Sequence, residues 1–169
     1  MLQENLLFFV LSTTFFLLAG WYWRNAKPYS LPESRPSWFK FWFLSVQILG
    51  GLVPLIALII WGLLWTNPTV IAVFASYLLM LGLQIFAEFL SLRYLATVVW
   101  VMIPYLYVPY RVWQLYEGLN LLENTSELMA VQIILILNIG VWIVNYCLDL
   151  AQLPFLFYWE TKEVSGESS

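Results

Sequence analysis

Histidine is absent from this 169-residue chain, and cysteine occurs once, at Cys147. The first absence removes the commonest metal ligand, the usual general base near neutral pH and any bis-histidine haem. The second removes internal disulfides and thiolate clusters for zinc or iron–sulfur. Cys147 stands in an apolar run, where a free thiol is expected as inert core. Charge is scarce too, with 7 basic and 10 acidic residues making up 10% of the chain. The acidic balance and the lack of any basic run argue against nucleic acid as a partner. No GxSxG, HExxH, GxGxxG or P-loop signature occurs. Catalysis would have to use carboxylates, Arg, Lys, Ser or Tyr, and the internal lysines, Lys27 and Lys40, both fall in a polar connection. These absences point to a protein that is not an enzyme and predict no metal or cofactor.

What is abundant is apolar surface. Hydrophobic residues make up 62% of the chain and the mean hydropathy is +0.81. Soluble domains run at about 45–50% apolar, and a globule of this size could not hide the excess, so lipid is the solvent for most of the chain. The expected fold is an all-α integral membrane bundle with four transmembrane helices, at about 5–23, 43–65, 69–90 and 129–150. An interfacial or re-entrant helical segment is expected near 104–118, and the rival reading has five spans. Residues 1–159 form one helical domain, and 160–169 read as a polar, disordered tail.

The run Leu6 to Trp23 has no basic residue before it, while Arg24 and Lys27 follow it. A secretory signal has the reverse order, so this reads as a retained anchor helix. The connection 24–40 holds Arg24, Lys27, Arg35 and Lys40 against one acid, Glu33. That bias predicts a cytoplasmic or stromal basic loop, with the N-terminus outside or lumenal, in a bacterial inner membrane or a thylakoid membrane. Gly50-Gly51 should let a neighbouring backbone come close, and Pro54 should kink the second span. Thr66-Asn67-Pro68 reads as a tight hairpin. A continuous helix over 69–103 would measure roughly 52 Å, so it must project, tilt or break near Ser91. Asn124 and Glu127 fit a capping box, and Leu153-Pro154 should end the last span.

Residues 94–110 carry no formal charge but hold Pro104, Pro109 and many tyrosines, which favours headgroup depth. Charge counting does not decide their topology. With four spans, Arg93 and Arg111 lie inside and Lys162 outside; with five, Lys162 moves in and Arg111 out. Either way six basic residues oppose one. The missing turn between Glu88 and Tyr94 favours four spans.

Polar residues in the spans recur on shared faces. Asn138, Asn145 and Asp149 are spaced by seven and four, and Gln84, Glu88 and Ser91 by four and three. Arg93 sits about 140° round from Glu88, and Gln47 starts a similar face in the second span. Polar groups are costly in lipid, so a seam of Gln47, Gln84, Glu88, Arg93, Asn138, Asn145 and Asp149 is expected to turn inward. It could hold an ion, a proton path or a headgroup, or simply join helices at about 0.6 kcal/mol per contact. With four spans Glu88 and Asp149 lie at opposite ends; with five they share an end and can share Arg93. The aromatic content, 19% with 10 Trp, suits interfacial belts and core filling, and it would also suit a bound lipid or pigment.

The stretch Phe86 to Leu119, FAEFLSLRYLATVVWVMIPYLYVPYRVWQLYEGL, resembles a family of small four-helix membrane proteins of cyanobacteria and plant plastids. The shared features are Arg93, the central Pro104-Tyr105, and Arg111 with an aromatic two positions on. The resemblance covers about a fifth of the chain and implies a photosynthetic-membrane home. It brings no activity and no functional residue with it. The functional expectation is an accessory or assembly subunit that packs its helices against other membrane subunits or itself, in contact with membrane lipids. The alternative is a small oligomeric channel or carrier that uses the polar seam.

Overall fold

A computed structural model describes residues 2–23, 37–95, 99–122 and 128–157. Every regular element among them is helical. The helices are α1 (Leu2–Tyr22), α2 (Ser37–Gln47), α3 (Val53–Ala57), α4 (Pro68–Leu90), α5 (Val99–Leu122) and α6 (Met129–Phe157). Wider π-helical turns at Ile48–Leu52 and Leu58–Leu64 join α2 and α3 into one rod over 37–64. Four helices are long and apolar enough to cross a membrane: Gln3–Tyr22, Lys40–Leu64, Pro68–Tyr94 and Met129–Leu153. The chain is a helical membrane protein.

Local chemistry explains the joints. Pro54 has no N–H to offer the carbonyl of Gly50, and its ring crowds that turn, so the rod widens on both sides of it. At the hairpin Thr66 takes φ 53°, and the Asn67 side chain accepts from the Thr69 and Val70 N–H groups at 3.0 and 3.1 Å. Pro68 then opens α4 at a position where no N–H is needed. The long third span widens at Ser91 into a π-helical turn over Ser91–Leu95. The last span runs on through Pro154 to Phe157. Its proline does not stop it, because a helix can bend around a missing hydrogen bond. The expected capping box at Asn124–Glu127 and the tail 160–169 lie outside the described residues.

The fifth helical segment has a definite place. Tyr105, Arg111 and Leu122 of α5 meet Asp149, Trp142 and Gln132 of α6 in turn. Arg111 and Gly118 of α5 meet Gln84 and Val73 of α4. Thus α5 runs antiparallel to both helices and along their length, with α1 on another flank through Asn5, Ser12 and Phe16. Its 24 residues measure roughly 36 Å, a full span length, although it is less apolar than its neighbours. The hairpin also makes the rod antiparallel to α4. Hence the ends of α1, α4 and α6 and the starts of α2 and α5 all lie at one end of the bundle, called here the basic end. It is where Lys40 and Arg93 stand and where the connection carrying Arg24, Lys27 and Arg35 joins by sequence.

Apolar side chains fill most of the other half of the bundle, with Gln114 and Asn5 buried beside them. Val70, Val73 and Phe74 of α4, Leu115 and Leu122 of α5, and Val131 and Leu135 of α6 are all fully buried there. Gly118 lets α5 close on α4, since a Cβ at that position would fall 2.6 Å from Val73 Cγ1. A second cluster joins Phe16 of α1 to Met80, Val99, Ile103 and Tyr107. Cys147 is exposed on the outer surface and not part of the core. It lies two positions from Asn145, whose side of α6 faces the rod.

Candidate functional site

The centre of the bundle holds Arg111, only 1% exposed and the largest fully buried side chain among the described residues. Two aromatic rings receive it. Its guanidinium carbon lies 4.1 Å from the Trp142 ring centre and 5.9 Å from that of Tyr77. A cation over an aromatic face is stabilised by about 2 kcal/mol or more when both are desolvated. Nη2 donates to the amide oxygen of Gln84. The Gln84 Nε2 in turn donates to Glu88 Oε1 at 2.7 Å. The cation and the carboxylate are therefore linked through one amide, and Glu88 is within electrostatic reach of both Arg111 and Asp149. Arg111 Nε and Nη1 have no hydrogen-bond partner.

The aromatic cradle is fixed by its own bonds. Trp142 Nε1 donates to the Tyr77 hydroxyl at 2.8 Å, and that hydroxyl donates to the Gly50 carbonyl. Pro54 leaves this carbonyl without its ordinary donor four residues on, so it is free to accept. Gly50 itself is needed at this spot. A Cβ there would stand 2.7 Å from Cζ2 of Trp142, so the close approach is to an indole and not to a neighbouring backbone. Asn138 borders the cradle, its Oδ1 3.5 Å from the Tyr77 hydroxyl and its Nδ2 bonded to the Ile134 carbonyl.

Two further polar groups flank this centre. On the α1 side, Tyr110 and Gln114 of α5 donate to Asn5 Oδ1 at 2.7 and 3.1 Å. Asn5 Nδ2 and Gln114 Oε1 are buried without partners. Nearer the basic end, Trp42 Nε1 donates to Asn145 Oδ1 at 3.2 Å, and Asn145 Nδ2 donates to Asp149 Oδ2 at 3.0 Å. Tyr105 ties α5 to the same turn through the Asp149 carbonyl at 2.6 Å.

Of the seam expected from spacing, Gln84 and Glu88 are joined, Asn145 and Asp149 are joined, and Asn138 lines the cradle. Two members do not belong. Gln47 is exposed on the rod, one position from the buried Val46, so the seam face there is apolar. Arg93 is exposed in the turn after α4, with its guanidinium 5.8 Å from the Tyr94 ring. Arg111 is corrected as well: it is no loop cation but the hub of the network. Glu88 and Asp149 lie towards the same end, as the five-span alternative requires. Of the basic loop, Lys40 is exposed in the first turns of α2, while Arg24, Lys27 and Arg35 lie outside the described residues. No group of three or more metal-ligating side chains occurs among the described residues.

Arg111 had a legible signal. Tyr107, Arg111, Gln114 and Gly118 recur at helical spacing with Leu115 and Leu122, which marks one buried face of a long helix. The two prolines hide it by suggesting breaks.

The hydrogen bonds run from Glu88 through Gln84 to Arg111, and the Asn145–Asp149 and Gln114–Asn5 pairs flank this chain as separate groups. Comparison with known protein families, with curated proteins and with solved structures finds no match to this chain.

Proposed function

We propose that this protein is a non-enzymatic accessory or assembly subunit of a larger membrane complex, with α5 crossing the membrane as a fifth helix. One observation carries the reading: the buried polar side chains are bonded across helices, Arg111 to Gln84, Gln114 to Asn5 and Trp142 to Tyr77, so they tie the helices together. Arg111, Gln84 and Trp142 bind three helices at one point, and Asn5 brings in the fourth. Such a hub sets helix register, which a packing subunit needs and a solute path would interrupt. The apolar faces of α1, the rod and α6 remain on the outside, available to lipid or to neighbouring helices.

The test has two arms. In mild detergent extracts of its own membrane, the protein should migrate with other chains, well above the mass of the bundle. Purified and reconstituted into sealed vesicles, it should pass neither protons nor small ions. Migration alone in the extract, together with measurable flux, would refute the proposal. The unpartnered Nε and Nη1 of Arg111 favour a second reading, in which water enters and the seam works as an oligomeric channel or carrier. Flux lost on Glu88→Gln and Asp149→Asn would establish it.

A further inference from the structure

Among the described residues, five buried side-chain atoms have no hydrogen-bond partner. Ser91 Oγ stands apart on α4. The other four gather round one turn of α5: Nε and Nη1 of Arg111, Oε1 of Gln114 and Nδ2 of Asn5. Arg111 and Gln114 are three positions apart, so they are neighbours on the helix surface. A helical side chain leans back over the turn before it, which brings the Gln114 amide towards Arg111. Gln114 also reaches Asn5 of α1, its Nε2 donating to Asn5 Oδ1 at 3.1 Å. All three residues are only 1 or 2% exposed. The Tyr107 hydroxyl, one turn before Arg111, accepts from Ser12 of α1 at 3.4 Å and is within electrostatic reach of Arg111. Of the four atoms, three are donors and one is an acceptor. They cannot satisfy one another, and buried donors of a charged group do not stay unpaired cheaply.

We propose that a resident water binds between Arg111 and the Gln114–Asn5 pair. A buried water makes about three hydrogen bonds. Here it accepts from the Arg111 guanidinium and from Asn5 Nδ2, and it donates to Gln114 Oε1. Water suits the site better than an anion does, because of charge. Glu88 already answers Arg111, and Asp149 is within reach of Glu88, so a further negative charge would be repelled. The water joins two groups that direct bonds leave separate. The polar chain then runs from Glu88 and Gln84 of α4, through Arg111 and Gln114 of α5, to Asn5 in the first turn of α1. It makes the docking of α1 a hydrated joint. The water is a fixed part of that joint, and flux across vesicles tests the channel reading separately.

The test is solid-state NMR of the full chain, labelled with nitrogen-15, in lipid vesicles, with proton magnetisation transferred from water to side-chain nitrogens. The Arg111 guanidinium and Asn5 Nδ2 should both receive it. Asn138 Nδ2, which is bonded to the Ile134 carbonyl, should not. Gln114→Leu removes the acceptor and should abolish the transfer at Asn5. No transfer to Arg111 or Asn5 in the wild-type protein would overturn the proposal, and that measurement needs no variant. A dry Arg111 would leave the packing role of the protein standing. Undiminished transfer at Asn5 in folded Gln114→Leu would overturn the proposal as well. So would an Arg111 Nε signal that moves when gluconate replaces chloride, since the occupant would then be an anion.

Discussion

Gly50→Ala should unsettle the centre of the molecule from a distance. The new Cβ would lie 2.7 Å from Cζ2 and 3.1 Å from Cε2 of Trp142. The indole cannot yield easily. Arg111 lies 4.1 Å from its ring centre, its Nε1 is bonded to Tyr77, and the residue is 5% exposed. Overpacking of this kind costs about 1–3 kcal/mol. Displacing the ring also weakens a desolvated cation–π contact of about 2 kcal/mol. Against this, alanine is favoured over glycine in a helix by up to about 1 kcal/mol. The expected net loss is about 2–4 kcal/mol, which for a chain of this size lowers Tm by on the order of 10 °C. Thermal unfolding in detergent, followed by tryptophan fluorescence, reads the loss. Gly51→Ala is the matched control, because its Cβ meets nothing nearer than Leu81 Cδ2 at 4.0 Å. It should be neutral or slightly stabilising. Equal behaviour of the two variants would refute the packing of Trp142 against Gly50.

Other outcomes follow from the same contacts. Gly118→Ala should cost about 1–3 kcal/mol by pushing α5 off Val73, and Val73→Ala should relieve part of that loss in the double variant. Arg111→Met removes the buried cation and leaves Glu88 unbalanced in apolar surroundings; unfolding measurements should find it less stable than Arg111→Met with Glu88→Gln. The reverse order would show that Glu88 does not sense Arg111. Tyr105→Phe should lose about 1 kcal/mol through its bond to the Asp149 carbonyl, and no loss would mean that this bond does not tie α5 to α6.

The membrane class, the four apolar helices and the Thr66-Asn67-Pro68 hairpin were readable because each rests on local chemistry: run length, cap and turn residues. The pairs Gln84–Glu88 and Asn145–Asp149 were readable for the same reason, since four residues make one helical turn. What escaped depends on partners distant in sequence. The packing of α5 along α4 and α6 was hidden because Tyr105, Pro109 and Trp113 suit an interface and a packed bundle equally well. Arg111 looked like a loop cation because its acceptor, Gln84, is 27 positions away and its cradle, Trp142, is farther still. Gln47 and Arg93 were drawn into the seam by polarity more than by spacing: Gln47 lies on the exposed side of the rod, and Arg93 already stood about 140° round from Glu88. Cys147 was misjudged because an apolar run does not tell the lipid-facing side of a helix from the buried one.

With α5 proposed as a fifth span, its antiparallel course sets the side on which each loop emerges, and labelling of single cysteines in sealed vesicles tests it most directly. In a Cys147→Ser background, Lys27→Cys, Thr66→Cys and Lys162→Cys would each be exposed to an impermeant maleimide. The account predicts that positions 27 and 162 react from one side and position 66 from the other. Reaction of 162 together with 66 would mean that α5 does not cross, and the central packing around Arg111 would have to be abandoned.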